Sequence, residues 1–268
     1  MIKKLLVGIV ALIMMLTATG CSSTPEALTF RPEEDDFKYP ITLKYTVKDT
    51  EKNSTVGSVE YSIEKGTGET GSGTIDVIYL RSKVSIEAKV METEVMMYPK
   101  SFQPIYCIKK NTDNENPENN WESKTNYNAE SINIQLDAAA TAFNPESTDG
   151  LTVPLSGVCY DSETILLLVR ALDIEKGQNT AVQLMNTQTG ISDSTVLSVN
   201  SEAQELEISG LNGSEGTVKY NCRQICVGST SIVSRPVAYI WVSDDINRLP
   251  LKIEQVYYTY TLVEYTLS

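Results

Sequence analysis

The chain has 268 residues, with 35 Asp and Glu against 22 Lys and Arg, a formal net charge of −13 and no histidine. An acid surplus of that size argues against nucleic acid as a partner, because phosphates call for stripes of Lys and Arg, and against a fold that lies flat on anionic lipid. Without histidine there is no Ser-His-Asp or Cys-His nucleophilic site and the commonest zinc ligand is missing, so the chain reads as a non-enzyme with no cofactor and no metal.

Residues 1–20 read as an export signal. Met1-Ile2-Lys3-Lys4 is a short basic start, Leu5 to Leu16 is apolar without a break, and Thr17-Ala18-Thr19-Gly20 supplies small residues before Cys21. The apolar run is shorter than the ~20 residues of a spanning helix. Ala18-Thr19-Gly20-Cys21 resembles a bacterial lipobox, which implies that Cys21 carries lipid and becomes the mature N-terminus. The chain is then exported and held at the outside of the cell membrane, or within the envelope, through that lipid. Residues 21–40 contain Pro25, Pro32 and the acidic run Glu33 to Asp36, and read as a polar tether.

From Ile41 the hydrophobic period is two. Ile41, Leu43, Tyr45 and Val47 alternate with polar residues, as do Val59, Tyr61 and Ile63, then Ile75, Val77 and Tyr79, then Val84, Ile86, Ala88 and Val90. Such alternation predicts antiparallel strands with one wet face. Val95–Tyr98 and Phe102–Lys109 are predicted strands around a bend at Pro99, and Asn111–Asn120 reads as a polar hairpin tip. Ile132, Ile134 and Leu136 predict another strand, followed by a looser stretch to Val153.

The spacing then predicts one helix over Thr164–Leu172, opened by Asp161 or Ser162 as cap, with Glu163 suited to the dipole. It is apolar nearly all round and should be buried against the concave face of the sheet. Further strands are predicted at Val182–Asn186, Thr195–Val199, Leu206–Ile208 and Thr217–Val227. Between Val237 and Val242 both faces are apolar, which predicts burial on both sides, and Tyr257, Tyr258 and Tyr260 suit either a cavity mouth or a core edge. With no internal repeat and no later linker, residues 41–268 read as one domain. The fold class is mainly β: a large curved antiparallel sheet with one or a few helices on its concave face.

Three patterns bear on chemistry. Gly66 to Gly71 satisfies G-x-G-x-x-G, but more turn residues and a strand follow where a nucleotide fingerprint needs a helix, so it reads as a flexible hairpin loop. Asp244-Asp245 lies in Ser243–Arg248, which reads as a hairpin turn, with Arg248 available to one carboxylate. Cys107, Cys159, Cys222 and Cys226 form an even set that permits two disulfides in an exported protein. Cys222 and Cys226, four apart on one strand, would be roughly 13 Å apart and cannot pair with each other. Separate pairing to Cys107 and Cys159 and four free thiols both stay open.

Trp241-Val242-Ser243-Asp244-Asp245 with Arg248-Leu249-Pro250-Leu251, the helix Asp161–Leu172 with Arg170, and Phe102-Gln103-Pro104 resemble an uncharacterised family of exported bacterial proteins, the domain of unknown function numbered three thousand one hundred and eight. That family is similar to the LolA and LolB lipoprotein carriers. The resemblance implies a half-open, LolA-like antiparallel barrel whose concave face, covered by helices, holds acyl chains. It implies no catalytic residue. The residues expected to line a cavity are Leu166, Val169, Tyr239, Trp241, Tyr258 and Tyr260. Two functions are carried forward: a lipoprotein that binds a hydrophobic or lipid-like ligand, and a surface scaffold or adhesion-type module that binds protein or glycan.

Overall fold

The computed structural model describes residues 38–71, 73–137, 150–155, 157–171, 179–187, 190–229 and 236–267. The signal, Cys21 and most of the tether lie outside them, as do Leu172, Gly177 and the stretch 138–149. The strands are β1 (Ile41–Asp49), β2 (Thr55–Thr70), β3 (Gly73–Ile86), β4 (Lys89–Met97), β5 (Pro104–Asp113), β6 (Trp121–Tyr127), β7 (Ser131–Leu136), β8 (Leu151–Pro154), β9 (Cys159–Asp161), β10 (Asn179–Asn186), β11 (Ile191–Ser209), β12 (Thr217–Ser229), β13 (Ala238–Ser243), β14 (Pro250–Gln255) and β15 (Tyr258–Leu267). One seven-residue helix, α1 (Ile165–Ala171), follows a 3-10 turn at Ser162–Thr164.

Among the described residues the strands form a single 15-stranded sheet in the order β8-β7-β6-β5-β4-β3-β2-β1-β15-β14-β13-β12-β11-β10-β9. Every pairing is antiparallel except β9 with β10. The chain starts in the middle of the sheet, meanders outward to β8, crosses to the opposite edge at β9 and meanders back until β15 pairs with β1. Register shifts at Lys44/Tyr45, Val47/Lys48, Met96/Met97 and Trp241/Val242 add residues to one strand of a pair, and such bulges bend a sheet.

Bending brings the two edges together. Ile132 and Ile134 of β7 share a small core with Cys159 of β9 and Met185 of β10, while Leu151 and Val153 of β8 pack against it. Among the described residues no ladder joins β8 to β9, so the barrel-like shape is closed by side chains.

The alternation read from the sequence holds in the centre of the sheet. Ile41, Leu43, Tyr45 and Val47 of β1 face inward and are at most 1 % exposed, and Thr42, Lys44 and Thr46 face out. The helix fills the concavity: Leu167, Leu168, Val169 and Ala171 have no accessible surface, and they share one core with β1, Leu80, Val95 and Leu262. Asp161 is the residue that caps its entry, accepting from the backbone N–H of Glu163 at 2.9 Å.

Two expectations change. Gly66–Thr70 is not a loop but the end of β2, paired in register with β3 down to Thr70–Gly73. Packing is close at two of these glycines: a Cβ on Gly66 would lie 3.0 Å from the Tyr79 ring, and one on Gly68 2.5 Å from Met96 Sδ, which would have to move. The polar tip expected to start at Asn111 starts three residues later, since Asn111, Thr112 and Asp113 are still in β5.

At its far end α1 meets the turn between β13 and β14. Arg170, 1 % exposed, donates from Nη2 to the Asn247 carbonyl (2.9 Å) and from Nε to the Arg248 carbonyl (3.2 Å). Asp245 Oδ1 accepts from the backbone N–H of Asn247 and of Arg248, and Ser243 Oγ accepts from the N–H of Leu249. The acidic turn is therefore structural, and its free carbonyls are met by the helix. Replacing Arg170 by Met leaves buried carbonyls without a donor and should cost about 3 kcal/mol of unfolding free energy, with Arg170→Lys recovering little of it because an ammonium cannot span two carbonyls in a plane. Urea denaturation of the three proteins checks this, and a loss below about 1 kcal/mol would refute it.

Candidate functional site

Register places the inward side chains in lines across the sheet. One line runs Tyr61–Ser82–Thr93–Lys109–Ser123 over β2 to β6, and its neighbour runs Val59–Val84–Met91–Asn111–Trp121. A third runs Val47–Tyr260–Ile253–Ile240–Ile225. Beneath the helix these lines are packed shut. Toward the Asp49–Tyr258 end they are not: Tyr61, Val84, Ile86, Met91, Tyr258 and Tyr260 face inward yet stay half-buried, as does Ile165 at the start of α1. These side chains form an apolar and aromatic rim at one end of the concave face. Burial pushes the Tyr61 phenol well above its ordinary value, and the Glu163 carboxylate adds to the shift, as it does for Tyr260.

Behind the rim lies a buried ionic group that brings β5, β6, β9 and the helix entry together. Lys109 Nζ stands 3.0 Å from Glu163 Oε1 and 3.6 Å from Asp161 Oδ1, and Tyr127 donates its hydroxyl to Asp161 Oδ2 at 2.7 Å. Asp161 has no accessible surface and Lys109 is 3 % exposed. Burial alone would lower the Lys109 pKa, but the Asp161 and Glu163 carboxylates outweigh it and hold the ammonium above its ordinary value. Ser82, Thr93, Ser123 and Thr125 lie on the same inward face, buried, with hydroxyls that have no hydrogen-bond partner among the described residues. The arrangement can hold charge in place. It offers no base or nucleophile that a substrate could reach.

None of these polar residues was among the sequence candidates. In Ile105–Asn111 the apolar Ile108 points outward and Lys109 inward, opposite to what hydrophobicity suggests. The available signal was parity with Cys107, which pairs with Val95 and therefore shares the inward face.

The residues expected to line a cavity divide three ways. Leu166 and Val169 are in the closed core, 3 % and 0 % exposed, and line no opening. Tyr258 and Tyr260 are on the rim. Tyr239 and Trp241 are on the outer face, because they alternate with Ile240 and Val242 and pair with Cys226 and Gln224. Trp241 is buried there by other means: its Nε1 donates to Gln204 Oε1 at 3.0 Å, and Lys252 Nζ stands 4.9 Å from its ring centre. The doubly apolar β13 is thus covered inside by the core and outside by the stems of polar side chains.

Cys107, Cys159, Cys222 and Cys226 are free thiols, the second of the two alternatives left open by the sequence. Cys107 faces the interior, whereas Cys222 and Cys226 pair with Ser243 and Tyr239 on the outer face of β12, and the sheet stands between them.

Comparison with solved structures finds a beta-barrel-like protein of the domain of unknown function DUF1849 from Brucella abortus, with a TM-score of 0.52 and 10% identity over 87% of this chain and 99% of that one. At that identity the likeness is one of fold. No family model matches the chain, and no curated protein matches it.

Burial pushes the Cys159 thiol up to about 12 and the Cys222 thiol up to about 11, from an ordinary 9.0, and Cys107 rises well above that value. Groups raised in the folded state contribute stability that is complete below the unfolded value and is lost as pH climbs through the folded ones. Lys109 has the same sign. Unfolding free energy should therefore fall between pH 9 and pH 12, and thiol reagents at pH 8 should modify Cys226 before the other three. Equal stability at pH 8 and pH 11 in urea titrations would count against these environments.

Proposed function

We propose that this chain is an exported lipoprotein, tethered through Cys21 and residues 22–40, that binds a hydrophobic or lipid-like ligand at the rim of its curved sheet and performs no catalysis. The observation that carries the reading is the set of inward-facing, half-buried side chains Tyr61, Val84, Met91, Tyr258 and Tyr260. Apolar groups on the concave side of a curved sheet are ordinarily covered, and an acyl chain that covers them gains about 0.8 kcal/mol per buried CH₂. The lipobox-like Ala18–Cys21 and the resemblance to the lipoprotein-carrier superfamily of LolA and LolB support the same reading. On this reading the ligand would lie beside the helix entry, against Ile165, because α1 packs too tightly to admit it beneath the helix.

The non-catalytic part rests on two points. Histidine is absent, and the buried group of ionisable side chains, Lys109 with Asp161 and Glu163, is sequestered and internally paired.

The test is extraction of the full chain from membranes in mild detergent, followed by native mass spectrometry with release of non-covalent lipid. A released amphiphile in near-stoichiometric amount is expected, and Val84→Trp with Met91→Trp, which fill the rim, should cut it at least tenfold at unchanged thermal stability. Bare protein from wild type, or an equal yield of lipid from the double variant, would sink the reading.

A further inference from the structure

The long β2–β3 hairpin does something its neighbours do not. Its last residues extend past the end of β4 and bend over the outer face, so that Gly68 and Val77 close on Met96, which is 3 % exposed although it points away from the core. The overhang leaves a groove of about 630 Å³ between the hairpin tip and the outer face of β4 to β7. A second recess of about 680 Å³ lies on the other side of the hairpin, and Tyr98 borders both.

We propose that this outer groove is a saccharide-binding site for a neutral oligosaccharide. Its side chains are of the two kinds that sugars need. Tyr98, 44 % exposed, and Tyr106 offer aromatic surface for the C–H face of a pyranose, and Asn126, Asn128 and Asn133 offer planar amides that donate and accept at once. Met96, Tyr106, Asn126 and Asn133 stand on one line of register across four strands, so their spacing is set by rigid sheet. Tyr106 is held by its hydroxyl bond to Glu94, which is itself bound by Arg81. Asn133 Oδ1 accepts from Thr152, leaving its amino group for a ligand, and the Asn126 and Asn128 amides make no side-chain hydrogen bond among the described residues.

Charge selects the class. The groove carries one charged side chain, Glu69, and the neighbouring recess carries Asp76 against Lys65 and Lys100, so no cluster of positive charge recruits an anionic ligand. A peptide is disfavoured for two reasons. The strands under the groove are paired on both sides and have no free edge to extend, and the groove holds no deep apolar pocket for an anchor residue. The site is on the opposite face from the rim, and it stands whether or not the rim binds lipid.

The test uses the full chain in a sugar-free detergent, with cellotetraose, maltotetraose and chitotetraose as probes and tetragalacturonate as the anionic control. Calorimetry should detect at least one neutral tetrasaccharide, and saturation-transfer NMR should place the strongest signals on ring C–H protons. Tyr98→Ala and the pair Asn126→Ala with Asn133→Ala should each weaken binding at least tenfold. Their melting temperature should stay that of wild type, because these side chains are at the surface, and Trp241→Phe elsewhere on the outer face should bind as wild type does. No binding by any neutral probe, binding untouched by Tyr98→Ala, or tighter binding of tetragalacturonate would each overturn the proposal.

Discussion

Asp161 holds together parts of the sheet that lie far apart in strand order. It ends β9, the last of fifteen strands, yet its carboxylate is bonded to Tyr127 of β6 and stands beside Lys109 of β5, while the same group caps the turn that enters α1. Curvature from bulges alone has no defined end point, since a bent sheet without a closing ladder can open or tighten. A buried carboxylate shared between both halves supplies that end point, because separating the halves strands a charge in low dielectric. Lys109 and Glu163 complete the group so that none of its charges is left alone.

The helix follows from this anchor. Seven residues are too few to be stable as an isolated helix, so α1 exists because the sheet surrounds it. It is tied at both ends, by Asp161 at its start and by Arg170 on the Asn247 and Arg248 carbonyls at its finish. Its packing shuts the middle of the concavity and confines any opening to the rim around Tyr61 and Tyr260. The turn that Arg170 meets is also the turn that sets β13 against β14, so helix position and sheet register are one constraint.

The two faces of the sheet consequently offer different chemistry. Inside, accessible surface is apolar and aromatic, with fixed charge buried behind it. Outside, the face is crossed by ion pairs such as Arg81 with Glu94 and Lys83 with Glu92, and the β2–β3 hairpin borders a recess there. A single sheet can therefore present an apolar site and a hydrogen-bonding site back to back, without a second domain.

Alternating residues determined most of the strand set, and a capped apolar run the helix after Asp161 or Ser162, because both are local properties of the chain; the structure chose Asp161 as the cap. The mainly β class and the curved antiparallel sheet were legible for the same reason, and the structural-role reading of Ser243–Arg248 came from its turn residues. Three things were decided only by tertiary structure. Which face of β5 points inward depends on how Cys107 registers with Val95, so Lys109 enters the core against its own hydrophobicity. Which side of β13 carries Trp241 depends on its register with β12 and on Gln204 of β11 and Lys252 of β14, which cover it. Whether Gly66–Thr70 is loop or strand depends on its pairing with β3, from Gly66 opposite Val77 to Thr70 opposite Gly73. Each of these turns on a contact between residues distant in sequence, and a local pattern carries no record of such contacts.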